Sequence, residues 1–121
     1  MDTINAHLAF AALGQPTRLK IFRVLIAAGS RGIVAGDIGE MLGVRQNTLS
    51  NNLSSLVNVG LIRNQREGRS IRYFADFDGM SQLLSYLLHD CCGASRIACE
   101  ALVDDIACTA AAIPSNPEQK Q

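Results

Sequence analysis

Residues 33–74 read IVAGDIGEMLGVRQNTLSNNLSSLVNVGLIRNQREGRSIRYF, and this stretch decides the fold. A short segment from Ala35 to Leu42 ends at Gly43, and a second segment runs from Arg45 to Val59. Within the second, Leu49, Leu53, Leu56 and Val57 recur at i, i+4, i+7 and i+8, the spacing of one buried helix face. The opposite face carries Gln46, Asn47, Ser50, Asn51 and Ser54, uncharged hydrogen-bonding groups in place of the Glu/Lys mixture usual on a solvated helix. Asn and Gln can bond the edge of adenine bidentately in the major groove, and short hydroxyls reach bases or phosphates. After Gly60, the run Leu61 to Ala75 predicts two strands joined at Glu67-Gly68. Helix, turn, helix and basic hairpin together predict a mainly α winged helix-turn-helix with a β-hairpin, acting on double-stranded DNA.

A polar helix face on its own is most simply a solvated one. Five arginines beside it change that balance. Residues 45–75 hold Arg45, Arg63, Arg66, Arg69 and Arg72 against the single acid Glu67, a balance of +4 in a chain whose net charge is zero. Residues 1–44 carry +1 and residues 76–121 carry −5. Charge of one sign confined to the second helix and the hairpin is an electrostatic footprint for a polyanion. The expected DNA contacts are Arg45, Gln46, Asn47, Thr48, Ser50, Asn51 and Asn52 on the helix, with Arg66, Arg69 and Arg72 on the wing. For Arg69 and Arg72, pairing with Glu67 or Asp76 stands beside a phosphate or minor-groove contact.

At 121 residues, 48% of them apolar and none of them Trp, the chain has length for one domain with an aliphatic core. No apolar run approaches the ~20 residues of a membrane span, and the first residues lack a signal peptide's basic and apolar regions. A cytoplasmic protein without a membrane partner is expected. No nucleophile, base and orienting group occur at motif spacing and no phosphate loop is present, so an enzyme is not expected. A first helix is predicted over 3–13, and a second from Gln15-Pro16-Thr17 to about Ala28, stopped by Gly29. Asp78-Gly79 opens a further helix with Met80, Leu83, Leu84, Leu87, Leu88 and Cys91 on one stripe, broken at Gly93. That stripe is too long to be satisfied within one small domain. With the first helix it is the candidate homodimer interface. The expected organisation is a DNA-binding and dimerisation domain over 1–92, a partly helical thiol-bearing extension over 93–113, and a disordered tail over 114–121.

All four cysteines fall between 91 and 108. Adjacent Cys91 and Cys92 have Cα atoms ~3.8 Å apart, short of the usual disulfide range of about 4.4–6.8 Å, so the pair is better suited to two free thiols sharing a soft ion. In one straight helix Cys99 would stand roughly 10 Å from Cys92 along the axis; a turn-back at Gly93 brings it within reach. Cys108, roughly 13 Å further along a helix and on the opposite face, stays outside the set. The candidate metal ligands are therefore Cys91, Cys92 and Cys99. Three thiolates without a clear fourth donor suit trivalent arsenic or antimony, whose lone pair fills the remaining direction. Zinc or cadmium would take His89 or Asp90 as a fourth ligand. Burial as a small hydrophobe is the plainer role for Cys91 and Cys108.

These residues resemble the ArsR/SmtB family of metal-sensing winged-helix repressors. The resemblance rests on Ala12-Leu-Gly-Gln-Pro-Thr-Arg18, Gln46-Asn-Thr-Leu-Ser50 with Leu53, Val59-Gly-Leu-Ile62, and Arg66-Glu-Gly-Arg69 followed by Arg72-Tyr73, over roughly residues 5–92. It implies a homodimer that binds a palindromic operator and dissociates when a metal or metalloid binds. The family's third-helix cysteine site is absent near Val34-Ala-Gly-Asp37, and the zinc sensors' pattern on the last helix is missing. A Cys-Cys pair ending that helix, with a third Cys shortly after, is similar to an arsenite-responsive branch. The resulting expectation is a repressor released by As(III), and by Sb(III) as well. A thiol redox sensor or a Zn/Cd sensor of the same fold is the nearest alternative, and a protein-interaction winged helix is a further one.

Overall fold

The computed structural model describes residues 3–94 of the chain, with side chains over 5–88. The order of elements is α1 (Thr3–Leu13), α2 (Pro16–Ala28), a 3-10 turn (Gly29–Arg31), β1 (Ile33–Val34), α3 (Ala35–Leu42), α4 (Gln46–Asn58), β2 (Ile62–Glu67), β3 (Ser70–Ala75) and α5 (Phe77–Ala94). Two compact units divide the chain, Met1–Leu83 and Leu84–Gln121. The core and the sheet belong to the first.

Helix starts and stops follow local chemistry. Gln15 caps α2, its side-chain oxygen accepting from the Arg18 amide at 2.8 Å, and Pro16 occupies the first helical turn, where its missing donor costs nothing. Between α3 and α4 the chain turns at Gly43, whose left-handed backbone (φ 64°, ψ 37°) ends α3 as a residue with a Cβ would resist doing. Arg45, expected as the first residue of the second segment, is the cap position before α4. Asp76 starts α5 by accepting from the Gly79 amide at 3.0 Å. Gly79 is required for a different reason: a Cβ there would run into the carbonyl of Gly60, so the start of α5 lies directly on the turn that follows α4.

The three-stranded antiparallel sheet has the order β1-β3-β2. Register pairs Ile62 with Ala75 at the base of the wing and Glu67 with Ser70 at its tip, leaving Gly68-Arg69 as a two-residue turn. Strand β1 pairs Ile33 with Tyr73 and Val34 with Arg72. The sequence did not predict β1, because two residues carry no readable alternation.

Ile21, Leu25, Ile38, Leu53, Leu56, Leu61 and Ile62 are the large, fully buried side chains, drawn from α2, α3, α4 and the strand entering the wing. Helix α1 contributes Ala6, Ala9 and Ala12, all buried, while its larger Leu8 and Phe10 point to solvent. Small inward residues let α1 lie close against α2 and α4, with which it packs. The mainly α winged helix-turn-helix expected from the sequence is the fold observed. Gly93, expected to break the last helix, instead lies within α5, which continues to Ala94.

Candidate nucleic-acid interface

Helix α4 is held from behind. Leu49, Leu53 and Leu56 are buried at 3%, 1% and 0% exposure, and Val57 is half-buried, as the i, i+4, i+7, i+8 spacing predicts. α1, α2, α3 and β2 all pack on this helix. Its other face is open: Gln46, Asn47, Thr48, Ser50, Asn51 and Ser54 are exposed. Arg45 stands exposed at the N-terminal end, where the helix dipole and unpaired amides already favour an anion. Three exposed carboxamides on one helix face offer paired donors and acceptors to base edges.

Asn52 does not join them. It is buried at 7% exposure, and its Oδ1 accepts from Nη1 of Arg18 on α2 at 3.3 Å. At 100° per residue its neighbour Asn51 faces out while Asn52 turns under the helix, so the expected base contact at Asn52 is corrected to an interior hydrogen bond. Arg18 also donates from Nε to the Ala12 carbonyl at 2.7 Å. Motif reading passed over this contact, although an arginine in the first turn of a helix was a usable signal: the dipole there favours acids.

The wing sorts its arginines into different tasks. Arg69 is exposed at the turn, and Arg66 is exposed with Nη1 donating to the Gly68 carbonyl at 3.4 Å. Arg63 lies over the ring of Phe74, 4.5 Å from its centroid. Arg72 is a structural strut. Its Nε bonds both Glu67 oxygens at 3.1 and 3.0 Å, and Nη1 donates to the carbonyls of Arg31 and Gly32 at 3.0 and 3.4 Å. One guanidinium thereby ties the wing strands to the segment entering β1. Of the two roles open to Arg72, pairing with Glu67 is the one observed.

A cleft of about 530 Å³ lies between α3 and α4, its lining including Gly39, Glu40, Val44, Arg45, Leu49 and Ser50. A second, of about 380 Å³, is formed by α1, the end of α4 and the start of α5, and includes Asp76 and Asp78. No group of His, Cys, Asp and Glu with metal-holding geometry occurs among the described residues. Cys91 and Cys92 are consecutive in the last turn of α5. The Cys99 and Cys108 positions lie outside the described residues.

Residues 13–65 match a family described as a helix-turn-helix domain. No curated protein matches the chain. Among solved structures, an ArsR-like transcriptional regulator from Rhodococcus sp. RHA1 is 27% identical, with a TM-score of 0.63 over 86% of this chain and 93% of that one. The homodimeric winged helix-turn-helix DNA-binding domain of a possible ArsR-family regulator from Mycobacterium bovis is 26% identical, with a TM-score of 0.58 over 70% of this chain and 83% of that one. Reduced HlyU from Vibrio cholerae N16961 shares 22% identity over 73% of this chain and 88% of that one, with a TM-score of 0.57, a likeness of fold alone. No helix among the described residues is long and apolar enough to cross a membrane.

Proposed function

We propose that this chain is a homodimeric transcriptional repressor of the ArsR kind, which holds operator DNA until As(III), or Sb(III), binds Cys91, Cys92 and Cys99. The observation that carries the DNA-binding half is the exposed Gln46, Asn47, Ser50, Asn51 and Ser54 face of α4, flanked by Arg45 and by wing residues Arg66 and Arg69. Carboxamides and hydroxyls read base edges, while the arginines hold phosphates and set the register. In a dimer two such helices would enter successive major grooves about 34–36 Å apart. The wing's fixed attitude, set by Arg72, would keep Arg69 beside the backbone or minor groove.

The inducer half rests on the chemistry of the donors. Cys91 and Cys92 are adjacent on α5, so their Cα atoms differ by only ~1.5 Å in height along the helix axis. A third thiol from Cys99 would complete a pyramidal set of soft donors. Arsenous acid would exchange its three As–OH bonds for As–S bonds to these thiols, each exchange taking up the thiol proton and releasing one water, and would so tie Cys99 to the end of α5. A coupling of ~1–3 kcal/mol is enough to weaken DNA binding from several-fold to a hundredfold.

The test is a gel shift on the gene's own upstream DNA under reducing conditions, with arsenite, antimonite, cadmium and zinc titrated separately. Wild type should bind and be released by arsenite, whereas Cys92→Ser should bind and ignore it. Release by oxidant alone would select a thiol redox sensor, and release by zinc or cadmium alone a divalent-metal sensor. Failure to retard any promoter fragment would remove the regulatory reading.

A further inference from the structure

Arg18, beneath α4, and Asn52, on the buried side of α4, are each out of place by the rules of their own element. Arg18 lies in the first turn of α2, where a positive charge opposes the helix dipole. Asn52 lies mid-helix and buried in α4, where a short amide lowers helix propensity and needs a partner. A sequence tolerates such local conflict where a longer-range requirement overrides it.

Both conflicts are resolved by one side chain. Arg18 Nε donates to the Ala12 carbonyl at 2.7 Å, and its Nη1 donates to Asn52 Oδ1 at 3.3 Å. Ala12 belongs to the last turn of α1, which leaves carbonyls without helical partners and has no basic residue of its own. The charge that is misplaced on α2 is therefore well placed for α1. The planar guanidinium spans the two acceptors with separate nitrogens, which a lysine ammonium at the end of a flexible stem does not reproduce. We propose that Arg18 is a positioning residue of the DNA-reading surface. Through Asn52 it fixes the rotation of α4 relative to the end of α1, and so aims the neighbouring Asn51 and the rest of the exposed face. It touches no DNA itself.

The role in DNA reading rests on the regulator assignment, but the link can be tested without it. Arg18→Lys keeps the charge and loses the two-headed contact; Asn52→Ala removes the acceptor; Asn52→Asp retains it. Full-length variants are compared by amide hydrogen exchange across 46–58, and by affinity for promoter DNA against random DNA. Arg18→Lys and Asn52→Ala should each raise exchange in α4, and each should lower specific affinity about tenfold. The double variant should be no worse than either single. Random-DNA affinity should stay level because the charge is retained, and Asn52→Asp should recover the protection. Additive losses would make Asn52 an independent contact and overturn the proposal, as would parallel losses on promoter and random DNA. If wild type bound no DNA, the regulator assignment would fall and exchange alone would judge the link; unchanged exchange in both single variants would then refute it.

Discussion

Asn51 and Asn52 are adjacent, chemically identical and opposite in circumstance. One is exposed on the open face of α4, and the other is buried under it against Arg18. Composition alone cannot separate them; the 100° step of the helix does, once the buried leucines fix its rotation. Asn51→Ala should therefore weaken operator binding by about 1–3 kcal/mol, the worth of one bidentate base contact, and leave thermal stability level. Equal affinity for operator and for a site altered at that base pair, before and after substitution, would remove Asn51 from base reading. The wing divides in the same way. Arg69→Ala should lower the slope of log affinity against log salt by about one, as loss of a phosphate contact does. Arg72→Gln should leave that slope alone, because the side chain is already committed to Glu67 and to the carbonyls of Arg31 and Gly32. The ion pair with Glu67 accounts for under ~1 kcal/mol of its stability cost, and the lost bonds to the Arg31 and Gly32 carbonyls add to it. A matching drop in slope for Arg72→Gln would return it to the DNA. Residue types were legible in the sequence, but the partner each arginine takes depends on strand register and on a carbonyl 40 or more positions away.

Elements were easier to read than contacts because their signals are local. Leucine spacing gave α4, Gly43 gave the turn, and Pro16 with Gly29 bounded α2, all within a residue or two of the observed limits. Strand β1 escaped because its two residues form a strand only by pairing with Tyr73 and Arg72 of β3. The last described residue of α5, Ala94, lies one residue past the break expected at Gly93. The joint between α4 and α5 is also invisible in sequence: Gly79 reads only as part of a helix start with Asp78, yet it is where α5 rests on the Gly60 carbonyl. Any side chain there forces the two backbones apart. Gly79→Ala should destabilise the protein by about 1–3 kcal/mol despite alanine's better helix propensity, measured as a lowered denaturation midpoint with an unchanged m-value. A neutral or stabilising result would mean the joint can open without cost.

At the scale of the whole molecule, α1 is built inside out for a chain that works alone. Ala6, Ala9 and Ala12 face the core, and Leu8 and Phe10 stand at 49% and 39% exposure. On α5, Phe77, Leu84 and Leu87 are exposed at 47%, 43% and 48%. Burying such side chains against a second copy would gain roughly 1.5–3 kcal/mol for each one fully covered, and a twofold axis would use every one of them twice. In the proposed dimer, two linked reading helices would bind with an effective concentration that one lacks. Leu8→Glu places a charge in that contact and should yield a folded monomer by sedimentation. Affinity for the full operator should fall about 100-fold or more, with affinity for an isolated half-site unchanged. Met41→Glu supplies the control for surface charge as such: Met41 is more exposed still, at 60%, but lies on α3, and its substitution should leave the molecular mass at that of a dimer. A dimer that survives Leu8→Glu with full operator affinity would mean that α1 does not carry the subunit contact, and that its outward leucine serves some other surface.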